Sequence, residues 1–297
     1  MSTTVTVRVP ASTANLGPGF DSLGMALDLH GELTLTVRDE PALFPSERGK
    51  RLALAAARAV WQHAGQPAPR GLVAAYSGEI PIGRGLGASA VLRVGAVVAA
   101  NELIGRRFDR EELLLLATEL EGHADNATPA MFGGLQVVVW SDRGVEHVRV
   151  PVPAALRCVV FVPDLDMPTS EARKLLPAEL TRRECVYNIG RTALLVAALA
   201  TGDLQRLRTA TQDALHQPAR TAIFPAMPEL FAAALDAGAC GAFLSGAGSG
   251  VMAFVDGDAL AEPVGRAMSA AATAHELTGR TIYTCPGERG AEVTAGP

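Results

Sequence analysis

Three glycines at alternate positions, Gly83, Gly85 and Gly87, run straight into Ala88 to Ile104, a stretch in which almost every residue is apolar. A helix with so little polar surface has to be covered on most sides. That demands a layered fold with partners on more than one flank of the helix. The alternating glycines let the backbone turn tightly and let a ligand approach it closely. The helix N-terminus that follows offers unpaired N–H groups and the positive end of a dipole, which suits a phosphate. Ser89 falls in the first turn, within reach of a phosphate-bound Mg2+. Read without a ligand, the same segment is a glycine-rich turn before a helix, with Arg84 solvated.

The charged residues narrow the chemistry. Of 26 basic residues only Lys50 and Lys174 are lysines, and neither sits in a glycine-rich loop. A Walker A loop needs Gly-Lys-Ser/Thr, and a protein kinase needs a lysine on its third strand, so both are excluded. The net charge of −5 comes with no basic stripe, which argues against nucleic acid as a partner. No apolar run reaches 18 residues and Met1 to Pro10 lacks the core of a signal peptide, so a cytoplasmic protein without a membrane partner is expected. Cys158, Cys185, Cys240 and Cys285 form no CxxC pair, which fits buried thiols in a reducing compartment.

Alternation predicts strands over Thr4–Val9 and Leu27–Val37, separated by a turn-rich break from Pro10 to Asp21. A helix from an N-cap at Ser46 to about His63 follows, then a strand over Leu72–Tyr76. Asp109 caps a helix that runs to about Glu121, and Leu135–Trp140 with Val145–Val150 reads as a hairpin. Pro151-Val152-Pro153 marks a boundary. With 297 residues and 48% hydrophobic content, two domains are expected, 1–152 and 153–297. In the second, strands over Cys158–Val162, Ala242–Leu244, Val251–Val255 and Arg280–Cys285 alternate with helices, one capped by Ser170 and the longest over Thr181–Ala200. Both halves read as two-layer α+β sandwiches.

Three further loops concentrate polar residues. Glu121-Gly-His-Ala-Asp-Asn126 sets two carboxylates, an imidazole and an amide at a helix C-terminus, a donor set suited to Mg2+ or to an ordinary helix-ending turn. His123 has no second His or Cys nearby, which disfavours zinc. Pro10 to Asp21 and Leu244 to Gly248 are glycine-bearing turns after strands, and each alone reads as a plain turn.

In this order the loops resemble the GHMP kinases, and among them the homoserine kinases. Val9-Pro-Ala-Ser-Thr-Ala-Asn-Leu-Gly-Pro-Gly-Phe-Asp-Ser-Leu-Gly24 resembles that family's first motif throughout, and Pro81 to Ala90 its phosphate loop. Glu121 to Gly134 is similar to the stretch carrying its metal carboxylate, and Leu244 to Gly248 to its third motif. Tyr187-Asn-Ile-Gly-Arg191 and Pro218-Ala-Arg220 resemble its substrate-side segments. The resemblance covers about residues 5 to 255.

It implies a ribosomal protein S5-like N-terminal domain, a ferredoxin-like C-terminal domain, and ATP-dependent phosphorylation of a small hydroxy-amino acid, L-homoserine first. ATP would lie over Pro81, Gly83, Arg84, Gly85, Leu86, Gly87, Ala88 and Ser89, with Ser89 and Glu121 on Mg2+. Asn15, Asp21, His123 and Asn126 match positions near the substrate's amino and hydroxyl ends, and Arg191 with Arg220 the pair on its carboxylate. The residues implied in catalysis are Ser89, Glu121, Asn126 and Arg191, with Asp125 a weak alternative base. A homodimer is also implied. The sequence departs from the family pattern at Ala88, at Leu92 and Arg93, and at Ser249 and Gly250. These departures keep two other readings open: a relative acting on another hydroxy-amino acid, and a catalytically silent sensor.

Overall fold

The computed structural model describes residues 2–43 and 45–296; Met1, Phe44 and Pro297 lie outside the described residues. The first sheet contains β1 (Thr3–Ala14), β2 (Leu23–Arg38), β3 (Gly71–Gly78), β4 (Leu135–Ser141) and β5 (Gly144–Val150). Strands β1 and β2 are antiparallel, with Val5 opposite Leu35 and Val7 opposite Leu33, so the alternating apolar residues share the buried face. The expected break at Pro10 is instead a register shift between Pro10 and Ser12, after which pairing resumes to Ala14. Proline lacks an N–H to donate, yet a bulge accommodates it and the strand continues.

Helices α1 (Arg48–His63), α2 (Ala88–Leu103), α3 (Arg110–Glu121) and α4 (Ala127–Phe132) cover this sheet, with α2 packed against α1, α3, β1 and β2. This is the cover that the apolarity of α2 requires: Val91, Val94, Ala96 and Val97 are fully buried. Gly95 lets the helix sit close to the sheet, since a Cβ there would stand 2.9 Å from Leu33 Cβ. Asp109 caps α3 as expected, in a capping box with Glu112. Ser46 does not cap α1; the cap is Glu47, without a side-chain bond.

The second sheet runs β7-β8-β6-β9, built from β6 (Leu156–Pro163), β7 (Gly241–Leu244), β8 (Val251–Asp256) and β9 (Gly279–Thr284), all antiparallel. Its helices are α5 (Thr169–Lys174), α6 (Arg182–Thr201), α7 (Leu207–Ala210), α8 (Gln217–Arg220), α9 (Met227–Asp236) and α10 (Ala261–Ala274). Pro168, not Ser170, precedes α5 as its cap. The chain then returns: β10 (Glu292–Ala295) pairs antiparallel with β1, Val293 opposite Val7. The first layer is thus completed from beyond the expected 152/153 division, because β1 would otherwise be left with an unpaired edge. Among the described residues, no helix is long and apolar enough to cross a membrane.

Candidate active site

The glycine-rich loop, the two polar loops and the third glycine nest meet in one cleft of about 310 Å3. The phosphate-type loop enters α2 through Gly87, left-handed at φ +71° and ψ 17°, which has no side chain with which to cap the helix. The first amides of α2 therefore face the cleft as free donors. Gly85 has φ +75°, and a Cβ there would stand 2.0 Å from the Ser245 carbonyl oxygen.

The loop is clamped from the second half of the chain. Ser245 Oγ donates to the Gly85 carbonyl at 2.7 Å and Gly250 N donates to the Arg84 carbonyl at 3.1 Å. The Ser245 hydroxyl also meets Thr13 Oγ1 at 2.8 Å, and Gly246 N donates to the Ala14 carbonyl at 3.0 Å. The turn after β7 thus holds two loops that are over a hundred residues away in sequence.

Ser89 and Glu121 come together: the serine Oγ donates to the carboxylate, 2.7 Å from one oxygen and 2.6 Å from the other. A hydroxyl and a carboxylate are hard oxygen donors, and Mg2+ commonly takes only one or two carboxylates beside phosphate oxygens. The donor chemistry therefore fits Mg2+. Arg93, one helical turn after Ser89, places its guanidinium against both the serine hydroxyl and the Glu121 carboxylate.

Farther along the cleft wall, Asn126 Oδ1 accepts from Ser12 Oγ at 2.9 Å and Asn15 Nδ2 donates to the Gly246 carbonyl at 2.9 Å. Asp125 is buried and meets His123 Nδ1 at 2.8 Å. Burial pulls the His123 pKa down, but the hydrogen bond and charge of Asp125, with the charge of Glu121, outweigh it and the net shift is upward. Arg220 is almost fully buried, donates to the Gly246 carbonyl at 2.9 Å, and keeps Nε without a protein partner. Burial, then the nearby Arg173 charge, lowers its pKa to about 10, which leaves it cationic at neutral pH.

Two expectations about arginines change. Arg191 does not line the cleft with Arg220. It lies 3.2 Å over the Tyr187 ring and donates to Gln212 Oε1. The second arginine in the cleft is Arg173, held to Asp21 by two bonds of 3.0 and 2.5 Å. No motif pointed to it; an arginine on a short helix carries no local signal of what it faces. Arg84 pairs outward with Asp166.

A buried histidine supports this wall. His216 Nε2 meets the Gly17 carbonyl at 2.7 Å and Nδ1 meets Arg220 Nη1 at 2.9 Å. Burial, with the Arg220 charge, lowers its pKa to about 4, against the partial pull of Asp213. Between about 6.5 and 4 the unfolded chain therefore binds a proton that the native state refuses. We expect the stability contributed by neutral His216 to be complete above pH 6.5 and to fade as pH falls towards 4. Melting temperatures across that window should drop, and H216Q should flatten the slope; a slope unchanged in H216Q would disprove the assignment. His123 acts in the opposite sense, its contribution fading as pH rises.

Comparison with known proteins adds independent findings. Residues 51–134 match the family described as GHMP kinases N terminal domain, and residues 195–274 match GHMP kinases C terminal. A homoserine kinase of Moorella thermoacetica is 45% identical over 277 residues, covering 89% of this chain and 91% of that one. One of Caldicellulosiruptor bescii is 42% identical over 262 residues, covering 85% and 84%. The crystal structure of homoserine kinase from Cytophaga hutchinsonii superposes with a TM-score of 0.88 at 29% identity, covering 98% of this chain and 97% of that one.

Proposed function

The chain belongs to the GHMP kinase family, and on that premise we propose that it transfers the γ-phosphoryl group of ATP to the side-chain hydroxyl of L-homoserine. The observation that carries this reading is the meeting, in one cleft, of an uncapped helix N-terminus, the Ser89–Glu121 pair and the buried Arg220. The relatives similar over most of the chain are named homoserine kinases, which supports homoserine over other alcohols.

In this reading the triphosphate rests on the amides from Gly85 to Ser89. Ser89 and Glu121 would hold Mg2+, which when bound would neutralise charge on the transferring group. Phosphoryl transfer asks mainly for positioning and charge stabilisation, so no strong base is required. Asn126, fixed by Ser12, orients the substrate hydroxyl, while Asn15, Asp21 and His123 surround its amino end. The free Nε of Arg220 suits the substrate carboxylate, because a guanidinium binds a carboxylate through two parallel N–H groups. Arg173 supplies a second cation, and Arg191 joins only by exchanging Gln212 for the substrate. A homodimer completes the proposal, supported by exposed Val186 and Ile189 on α6.

The test is ADP release measured across L-homoserine, L-serine, L-threonine and longer hydroxy-amino acids. Turnover should be fastest with L-homoserine. Binding without turnover for every member of the panel would sink the kinase reading in favour of a sensor.

A further inference from the structure

Arg93 is out of keeping with its helix. Its neighbours on α2, Ala90, Val91, Leu92 and Val94, are buried and apolar. Its own side chain is only 13% exposed, and that of its partner Glu121 only 10%. A guanidinium cannot shed its charge, so a permanent cation sits on the same carboxylate and hydroxyl that have the right chemistry for Mg2+. A divalent ion approaching Glu121 from solution meets like charge at contact distance, and the pair offers it only two side chains, one carboxylate and one hydroxyl, in exchange. Among the described residues, no group of three or more His, Cys, Asp or Glu could hold a metal by itself.

We propose that Arg93 is an internal cation that guards the Ser89–Glu121 pair, so that this site rejects free divalent ions and accepts one only together with the nucleotide. The proposal rests on the reading of Ser89 and Glu121 as the metal donors. A triphosphate resolves the competition in two ways. Its oxygens complete the coordination of the ion, and they offer Arg93 another bidentate anion in place of Glu121. Arg93 lines the same cleft as Gly85, Gly87 and Ser89, so the exchange needs a side-chain movement and no domain rearrangement. The metal and ATP would then bind with strong mutual coupling.

The test is Mn2+ binding followed by electron paramagnetic resonance, on the whole protein, with and without a non-hydrolysable ATP analogue. An adjacent opposite charge changes a carboxylate's affinity for a proton by roughly 10- to 1000-fold, and a divalent cation at the same carboxylate feels the same field. Without nucleotide, R93M should therefore bind Mn2+ at least about 10-fold more tightly than the native protein. That gain should vanish in R93M/E121Q and shrink when the analogue is present. R93K, which keeps the charge, should behave like the native protein. R93Q is a second neutral variant should R93M fail to fold, as judged by circular dichroism. Equal affinity in the native protein and the neutral variants, with binding still lost on E121Q, would overturn the guarding role alone. A gain that survives E121Q would place the ion elsewhere, overturning this proposal and the metal-donor reading together.

Discussion

Glu121→Gln should lower kcat by about 10²–10³-fold, the usual loss when one preorganised charge stabiliser is removed. The amide keeps the size of the carboxylate and still accepts from Ser89 Oγ, so the local shape survives. Its negative charge does not, and the partner Arg93 is left with a largely buried, uncompensated cation. Breaking a fully buried pair in this way costs about 3–5 kcal/mol. The pair here opens on a cleft, so about 1–3 kcal/mol is the better expectation once water reaches the guanidinium. The two losses are separable. In R93M/E121Q the stranded charge is gone, so the melting temperature should recover, while turnover should not. A double variant that regains both would show that Glu121 matters only for stability. Steady-state kinetics and thermal melts on the four proteins of the cycle decide the matter.

Gly85→Ala is expected to be nearly as damaging, for a different reason. The residue has φ +75°, which already disfavours a side chain by about 1–3 kcal/mol. The decisive effect is steric. The new Cβ would stand 2.0 Å from the Ser245 carbonyl oxygen, and backbone cannot rotate out of the way as a side chain can. The loop must lift from the turn that holds it, giving up the bonds from Ser245 Oγ to the Gly85 carbonyl and from Gly250 N to the Arg84 carbonyl. A displacement of about 1 Å in a positioning element costs on the order of 10²-fold in rate. G85A should therefore lose about 100-fold in kcat/KM for ATP. G83A makes a sharp comparison. Gly83 has φ +73°, yet a Cβ there meets nothing within 4 Å. It carries the backbone strain without the collision, so its loss should be clearly smaller. Equal losses in the two variants would mean that strain, not the clamp from Ser245, governs the loop.

Local patterns made much of the molecule legible. The run from Ala88 demanded a covered helix and found one between other helices and the sheet. Asp109 announced the start of α3 through its own capping chemistry. The strand alternation through Val5, Val7 and Val9 settled which face of β1 is buried. These signals act between residues a few positions apart, so they survive in the bare sequence. The caps expected at Ser46 and Ser170 missed by only one or two residues, but where the strand limits failed, a long-range partner had intervened. Pro10 sits inside a strand because β2 extends far enough to pair beyond it, and β1 gains a neighbour from the far end of the chain.

The candidate site divides along the same line. The order of loops along the chain pointed to a kinase family, and the resemblance implied the roles proposed for the phosphate-type loop, Ser89 and Glu121. Only the packing of the two halves put Arg173 in the cleft on Asp21 and set Ser245 beneath Gly85, and only tertiary contacts within the second half kept Arg191 on Gln212. Arg93 belongs to both accounts. Its spacing from Ser89 follows from helix geometry, but its hold on Glu121 exists only because α3 is packed beside α2. A side chain's partners across the fold depend on the summed packing of every element between them, and no short window of sequence contains that sum.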